Sequence, residues 1–201
     1  MTISNECISI FKKAIKDYHV FDSVDQELNN PFSDNEVFKK NIYKKSWIDT
    51  VQWHLEDIIR KPSIDPKEAL QIKRRLDKSN QDRTDMVEII DEYFFNKFSN
   101  VKITEECNIN TETPAWAIDR LSILELKIFH MDVEANRSSA DEKHRLSCIS
   151  KLEILKAQRK NLSKAIDQLL DNISNGKTMA LTYKQMKMYN DDKLNPELYK
   201  D

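Results

Sequence analysis

A single glycine, Gly176, occurs in this chain of 201 residues. Average usage of about 7% would supply roughly 14 glycines in a chain of this length. A phosphate-binding P-loop and a dinucleotide-binding turn both need several closely spaced glycines, so both are excluded. Tight hairpin turns also favour glycine, and the one Asn-Gly pair follows a long helical pattern. We therefore predict an all-α protein, an elongated helical bundle of about five or six helices.

Hydrophobic periodicity and helix-start signals organise the chain as one all-α domain over residues 1–201. The predicted divisions are an N-terminal helix and connection (1–34), a helical core (35–174) and a C-terminal arm (175–201). The predicted helices cover about 5–17, 35–60, 66–98, 113 to a polar turn at 134–141, and 141–174. Gly176 is expected to close the last of these with a left-handed cap, and the tail to form a short helix followed by an arm.

Charge and cysteine content exclude several classes of function. The net charge is −2, and no dense basic stripe occurs, so a nucleic-acid partner is not expected. Cys7, Cys107 and Cys148 lack CxxC spacing, which argues against a disulfide scaffold or a zinc site and favours a reducing cytoplasm. The N-terminus lacks a signal-peptide pattern, and no apolar stretch is long enough for membrane insertion. We predict a cytoplasmic location.

The segment TETPAWAIDRLSILELKIFHM, residues 111–131, reads as a helix capped by Thr113 and apolar on nearly every face. Such a helix should be buried, yet it carries five polar residues: Asp119, Arg120, Glu125, Lys127 and His130. Buried charges must be paired or bound to something, so this helix predicts a polar site or an interface inside the bundle.

The predicted helix that starts at Pro66, with Asp65 as its N-terminal cap, has a polar interruption in its core-facing stripe. Asn80 and Arg83 occupy two central positions of a stripe that is otherwise apolar. Either the helix breaks at 78–82, or these side chains point into the bundle. We favour the continuous helix.

These polar positions predict a candidate anion-binding cluster, because arginine forks suit phosphate and carboxylate groups. Arg120 and Lys127 lie two helical turns apart at nearly the same angle. The alternative interpretation is an internal salt-bridge network that fixes helix register. The residues of the predicted cluster are Asn80, Arg83, Arg120 and Lys127, and the carboxylates expected to orient them are Glu56, Asp57, Asp91 or Asp119.

Three further residues are candidates for ligand binding. His54 could act as a general base held by a carboxylate, although a hydrogen-bonded structural histidine is the commoner case. His130 is expected to end its helix and to complement the negative end of the helix dipole. Trp53, like Trp116, is interpreted mainly as a filler of the core or an interface.

A magnesium-dependent alternative rests on four carboxylates. All-α nucleotide pyrophosphohydrolases hold magnesium with clustered acidic side chains on two helices. This chain lacks the paired EExxE of such enzymes, and no cofactor is predicted outside this alternative. The candidate ligands are Glu56, Asp57, Glu88 and Asp91.

Four stretches together resemble one known family. They are WIDTVQWHLEDIIRKP from Trp47, KRRLDKSNQDRTDMVEIID from Lys73, NTETPAWAIDRLSILELKIFHM from Asn110 and YKQMKMYNDDKLNPELY from Tyr183. The resemblance is to the domain of unknown function 4254 family, mainly Bacteroidetes proteins, and it spans nearly the whole chain in the family's order. One departure is Ala115, where the family usually has glycine. The resemblance implies a helical cytoplasmic protein encoded near lipopolysaccharide or glycosyltransferase genes, without an established activity.

Three functional hypotheses follow from these residues together with the resemblance, which alone implies the link with glycan synthesis. The first is an accessory or binding module for an anionic small molecule, a sugar phosphate or nucleotide sugar, linked to envelope polysaccharide metabolism. The second is the metal-dependent pyrophosphohydrolase-like enzyme. The third is a structural partner of a glycan-synthesis enzyme that binds no ligand. A homodimer through the long helices is also expected.

Overall fold

The computed structural model describes residues 1–188 and 191–200 and confirms the all-α prediction. Six helices occur in this part of the chain, together with one isolated backbone bridge between Asn108 and Thr178. None of these helices combines the length and the apolar character needed to cross a membrane. The helices are α1 Ile3–Tyr18, α2 Val37–Ile59, α3 Pro66–Lys97, α4 Pro114–Asn136, α5 Glu142–Ser174 and α6 Pro196–Tyr199.

Side-chain caps begin α3, α4 and α5, the first two at residues that the sequence predicts as caps. Asp65 accepts hydrogen bonds from two backbone N–H groups of the first turn of α3, and Thr113 accepts one from the Trp116 N–H in α4. Asp141 caps α5 in the same way. Proline at the first position of α3 and α4 costs no hydrogen bond, because that N–H has no partner within the helix.

Helix α4 lies at the centre of the bundle, packed against each of the other four long helices. Ile118, Leu121 and Leu126 are completely buried, which agrees with an apolar pattern on nearly every face. The main core joins this helix to aromatic residues of the others, including Phe11 from α1 and Phe94 from α3. The polar site described below is therefore built against the most buried helix of the protein.

Several predicted boundaries need correction. Helix α1 begins at Ile3 rather than residue 5, because the Thr2 side chain caps its first turn by accepting from the Asn5 N–H. Ser4 in this turn also donates from its N–H and hydroxyl to Asp167 of α5, at 3.0 and 2.6 Å. Helix α2 is shorter than predicted, Val37–Ile59. Helix α4 continues to Asn136, because no proline or glycine interrupts it after Met131 and Ala135 is buried.

The C-terminal arm has the reverse order of the prediction. Residues 179–188 lack regular secondary structure and run along α3, where Lys184 lies 3.1 Å from Glu88 and 3.3 Å from Glu92. The short helix α6 follows this extended part. Tyr189, Asn190 and Asp201, which belong to the predicted arm, lie outside the described residues.

Candidate functional site

Three helices contribute charged side chains to one buried network. Lys45 of α2 is fully buried, pairs with Asp49 one turn later, and lies 2.6 Å from Asp119 Oδ1 of α4. Arg83 of α3 donates from Nε and Nη2 to the two oxygens of Asp119, at 3.0 and 2.5 Å. Ser122 donates to Asp49 Oδ2 at 2.6 Å. The polar interruption of α3 thus points into the bundle, and the continuous-helix prediction is confirmed.

The two carboxylates of this network have opposite pKa shifts. Burial raises the pKa of Asp49, and the ammonium of Lys45 only partly opposes it. Burial also disfavours ionised Asp119, but Lys45 and Arg83 together outweigh it and hold the pKa of Asp119 below its usual range. Asp119 is therefore the stable anion that orients Arg83, and Asp49 is the more easily protonated member.

A cavity of about 710 Å³ opens between α4 and α5, beside this network. Arg83 lies at its wall with 26% of its side chain exposed, and Arg120 and Lys127 of α4 line it as well. Trp116 adds an aromatic surface to the lining. The structure therefore brings the three predicted cations of the anion-binding cluster to one cavity.

The cations of this cavity differ in how they are paired. Arg83 is held by Asp119, and Arg120 donates to both oxygens of Glu112, 2.5 Å from Oε1. Lys127 is exposed and has no hydrogen bond or ion pair among the described residues. Since Arg120 and Lys127 lie at the surface, the expectation that every charge on α4 would be buried is wrong. Asp119 and Glu125 alone of the predicted charges are buried.

A second cavity of about 300 Å³ adjoins the first, and Arg83 lines both. Its other charged residues include Asp49, Glu56 and Asp57. Glu56 pairs with Arg60 one turn later instead of orienting Arg83. Arg83 thus forms part of the wall of both cavities.

Asn80 is placed near the tail of the chain. Its backbone carbonyl accepts hydrogen bonds from the Thr84 hydroxyl and the Lys187 ammonium, both at 2.8 Å. Lys187 also donates to the Thr84 hydroxyl at 2.5 Å. Asn80 is absent from the linings of both cavities just described. Asn80 therefore does not line the cavity at which the three cations meet, although it was predicted to group with them.

The four carboxylates of the magnesium alternative occupy separate places. Glu56 and Asp57 line the smaller cavity, whereas Glu88 accepts a hydrogen bond from the Gln185 N–H at 3.0 Å. Asp91 is buried and accepts from the Ala115 N–H at 3.3 Å, at the start of α4. Burial raises the pKa of Asp91. Within the described residues these four carboxylates form no common cluster of metal-ligand type.

The aromatic candidates converge on a cluster of histidines that the sequence did not predict. Trp53 stacks on His130, with ring centroids 4.7 Å apart and planes at 3°. The interpretation of His130 as the end of its helix is wrong, because α4 continues six residues beyond it. His54 contacts His19, the residue that follows α1. Burial and the neighbouring imidazoles lower the pKa of His54 and that of His130, the latter to about 4.

Sequence reasoning missed Lys45, Asp49 and Ser122 of the buried network and His19 of the histidine cluster. Lys45 precedes Asp49 by four positions, so the two share a helical face that also contains buried Ile42, and this spacing was the available signal. His19 had no comparable signal, since it follows a helix far from His54 in the sequence.

The sequence of this chain matches one family of known proteins. A family model described as a protein of unknown function, DUF4254, matches residues 39–181. The chain belongs to the DUF4254 family. The DUF4254 match covers the buried network, the cavity between α4 and α5, and two of the three histidines of the cluster. No curated protein and no solved structure matches this chain.

Proposed function

We propose that this DUF4254 protein is a binding module for a phosphate-bearing small molecule, held in the cavity between α4 and α5. The observation that carries the proposal is the convergence of Arg83, Arg120 and Lys127 on that cavity. Its volume lies within the range of about 300–1,000 Å³ that is typical of small-molecule sites.

The charges of the lining favour an anion. Arg83, Arg120 and Lys127 face two carboxylates, Glu112 and Asp119, which leaves one formal positive charge in excess. Lys127 is the cation without a protein partner in the described part of the chain, so a phosphate could bind it without breaking an existing pair. Asp119 fixes the position of Arg83 before a ligand arrives, which lowers the ordering cost of binding.

A sugar phosphate or nucleotide sugar is the ligand class that we propose. Trp116 would provide a flat apolar surface for a sugar or base, and Gln158 and Asn161 would donate to or accept from hydroxyl groups. The link with envelope polysaccharide metabolism comes from the family resemblance, whereas the cytoplasmic location that we propose also rests on the cysteine pattern. The proposed role is that of an accessory protein to an enzyme of glycan synthesis.

The structural-partner hypothesis has one observation in its favour. Arg83 and Arg120 already have carboxylate partners, so the network would also serve a protein that binds no small molecule. Lys127 separates the two hypotheses, because an exposed lysine with no partner contributes nothing to an internal network. The predicted homodimer and the magnesium-dependent alternative stay predictions.

The test is a thermal-shift titration at low ionic strength with inorganic phosphate, glucose 1-phosphate, UDP and UDP-glucose, followed by calorimetry. We expect Tm to rise by about 5–10 °C when the ligand reaches about 100 times its Kd. Lys127→Ala and Arg120→Ala should each weaken binding about tenfold or more, since each removes one charge-assisted hydrogen bond.

The matched control is Lys151→Ala on α5, an exposed lysine outside the cavity lining. It should bind like the unaltered protein. No Tm shift with any of the four compounds, or a shift that survives both cavity substitutions, would overturn the proposal.

A further inference from the structure

Three of the four histidines of this protein meet at one point of the fold. His19 follows α1, His54 lies on α2 and His130 on α4, so the cluster joins three helices. One ring nitrogen of each histidine lies within 4.8 Å of those of the other two. His54 Nε2 and His19 Nε2 are 3.2 Å apart. Two nitrogens on a tetrahedral zinc ion with bonds of about 2.0–2.1 Å are separated by about 3.3 Å.

The hydrogen bond of His19 leaves one ring nitrogen available for a metal. His19 Nδ1 lies 2.7 Å from the backbone carbonyl oxygen of Ile15, which can only accept, so Nδ1 carries the proton. In the neutral ring, Nε2 therefore presents its lone pair towards His54. A backbone carbonyl bound to the second ring nitrogen is the usual outer partner of a histidine that binds a metal.

Aromatic contacts hold the three rings in place. Trp53 stacks on His130, and Tyr18 stacks on His54 with ring centroids 5.0 Å apart and planes at 17°. The ring centroids of Phe129 and His19 are 4.4 Å apart. Because each ring packs against a large neighbour, the three imidazoles lose little freedom when they bind an ion, and the site is largely preformed.

His130 supplies an independent observation. Its Nε2 atom is buried and has no hydrogen-bond partner in the part of the chain that the structure describes. Buried polar nitrogens are nearly always bonded, and each exception calls for an explanation such as an ion. A metal at the cluster would bind this nitrogen.

Asp22 places a carboxylate beside the cluster. Its Oδ1 lies 3.7 Å from His54 Nε2 and 4.0 Å from His19 Nε2. Asp22 has a positive φ of 51°, and its N–H donates to the Tyr18 carbonyl at 3.0 Å in the turn that follows α1. This turn therefore places an exposed carboxylate beside the histidines.

We propose that His19, His54 and His130 bind a divalent transition metal ion, zinc before others, with Asp22 as the fourth ligand. Imidazole nitrogens suit zinc, cobalt, nickel and copper, whereas magnesium and calcium require oxygen ligands. The ion would tie the end of α1 to α2 and α4. This proposal is independent of the anion site, since none of the four residues lines the larger cavity.

Calorimetry on the full chain, freed of metal with a chelator, tests the proposal with zinc chloride and with magnesium chloride. We expect one zinc ion per chain, a raised Tm, and no response to magnesium. Cobalt should give the intense visible absorption of a four-coordinate site. His54→Gln and His130→Gln should each weaken zinc binding about 100-fold or more, and Asp22→Asn should weaken it less.

His144→Gln is the matched control, since His144 is the fourth histidine and lies on α5, hydrogen-bonded to Glu134. It should bind zinc as the unaltered protein does. Circular dichroism identifies any variant that fails to fold, and His19→Gln, at the end of a helix, then replaces it. Absence of zinc binding, or equal binding by the His54, His130 and His144 variants, overturns the proposal.

Discussion

Arg83 donates two hydrogen bonds to Asp119 from one edge of its guanidinium, with Nε 3.0 Å from Oδ1 and Nη2 2.5 Å from Oδ2. The same guanidinium forms part of the wall of two adjoining cavities. Arg83 of α3 therefore neutralises a buried carboxylate of α4 and also places a positive charge at the walls of the two cavities. This double role links the stability of the bundle to the proposed anion site.

Replacement of Arg83 tests the first of these roles. Arg83→Met should lower the free energy of unfolding by about 2–4 kcal/mol, because Asp119 would keep only Lys45 as a partner. Arg83→Lys should restore part of the loss, since the charge returns without the fork geometry. Urea unfolding measures both. Arg74→Met, an exposed arginine of the same helix, is the control, and equal losses in the two methionine variants would contradict the assignment.

Lys45 tests the buried side of the network. Lys45→Met should cost about 3–5 kcal/mol, because Asp49 is completely buried and would lose its closest cation. Adding Asp49→Asn should recover at least half of that loss, since Arg83 and Asp119 then remain as a balanced pair. A double-mutant cycle from chemical denaturation gives the coupling. Additive effects of the two substitutions would show that the ion pair is not the cause.

Glu125 predicts a pH-dependent stability. Its buried carboxylate lies 3.4 and 3.5 Å from Arg159 Nη1, and burial raises its pKa although Arg159 opposes this. A raised pKa in the folded state means that folding takes up protons between the unfolded and the folded pKa of Glu125, so stability falls as pH rises through the folded pKa. Arg159→Gln removes the opposing charge, raises the folded pKa further and extends this loss to higher pH.

The measurement is Tm for the unaltered protein and Arg159→Gln across pH 4 to 8. The difference between the two should widen with increasing pH. Arg137→Gln serves as control, because Arg137 pairs with Glu134 at the surface, where ion pairs contribute little. A difference that is constant across the range would argue against ionised Glu125 as the cause.

Gly176 is expected to tolerate no side chain. Its φ is +68°, and a Cβ atom would lie 2.1 Å from the carbonyl oxygen of Lys102. Gly176→Ala should therefore cost more than about 2 kcal/mol, through the left-handed conformation and the backbone contact together. Lys177→Ala, at the exposed next position, should be nearly neutral by the same unfolding measurement. Similar stability of the two variants would contradict the argument.

Local signals were enough to predict most of the helical architecture. Asp65 and Thr113 cap their helices, and Gly176 has the left-handed conformation that the end of α5 requires, as expected. Each of these features depends on residues within a few positions of one another, through hydrogen bonds or steric limits of the backbone. The first turn of α1 also depends on a distant residue, since Ser4 donates hydrogen bonds to Asp167 of α5.

The polar pattern of α3 and α4 also indicated that charged side chains would lie inside the bundle. Arg83, Arg120 and Lys127 were predicted as members of one cluster. The choice among their possible partners could not be read in the same way. Asp119 was one of four carboxylates predicted to orient these cations, and the structure pairs it with Arg83, but it places the Asn80 carbonyl against the Lys187 ammonium. Helical periodicity states which face a residue occupies, and it leaves open which neighbouring helix that face meets.

The packing of the helices alone produces the burial of Lys45 and the clustering of the three histidines, His19, His54 and His130. These residues are far apart in sequence, and a rotation of α1 or α2 about its axis would separate them without changing any local pattern. The amino-acid sequence alone thus specified an all-α chain with its caps and its buried central helix. The association of α1, α2, α3 and α4 created the buried network and the histidine cluster, because only their relative placement brings those side chains within bonding distance.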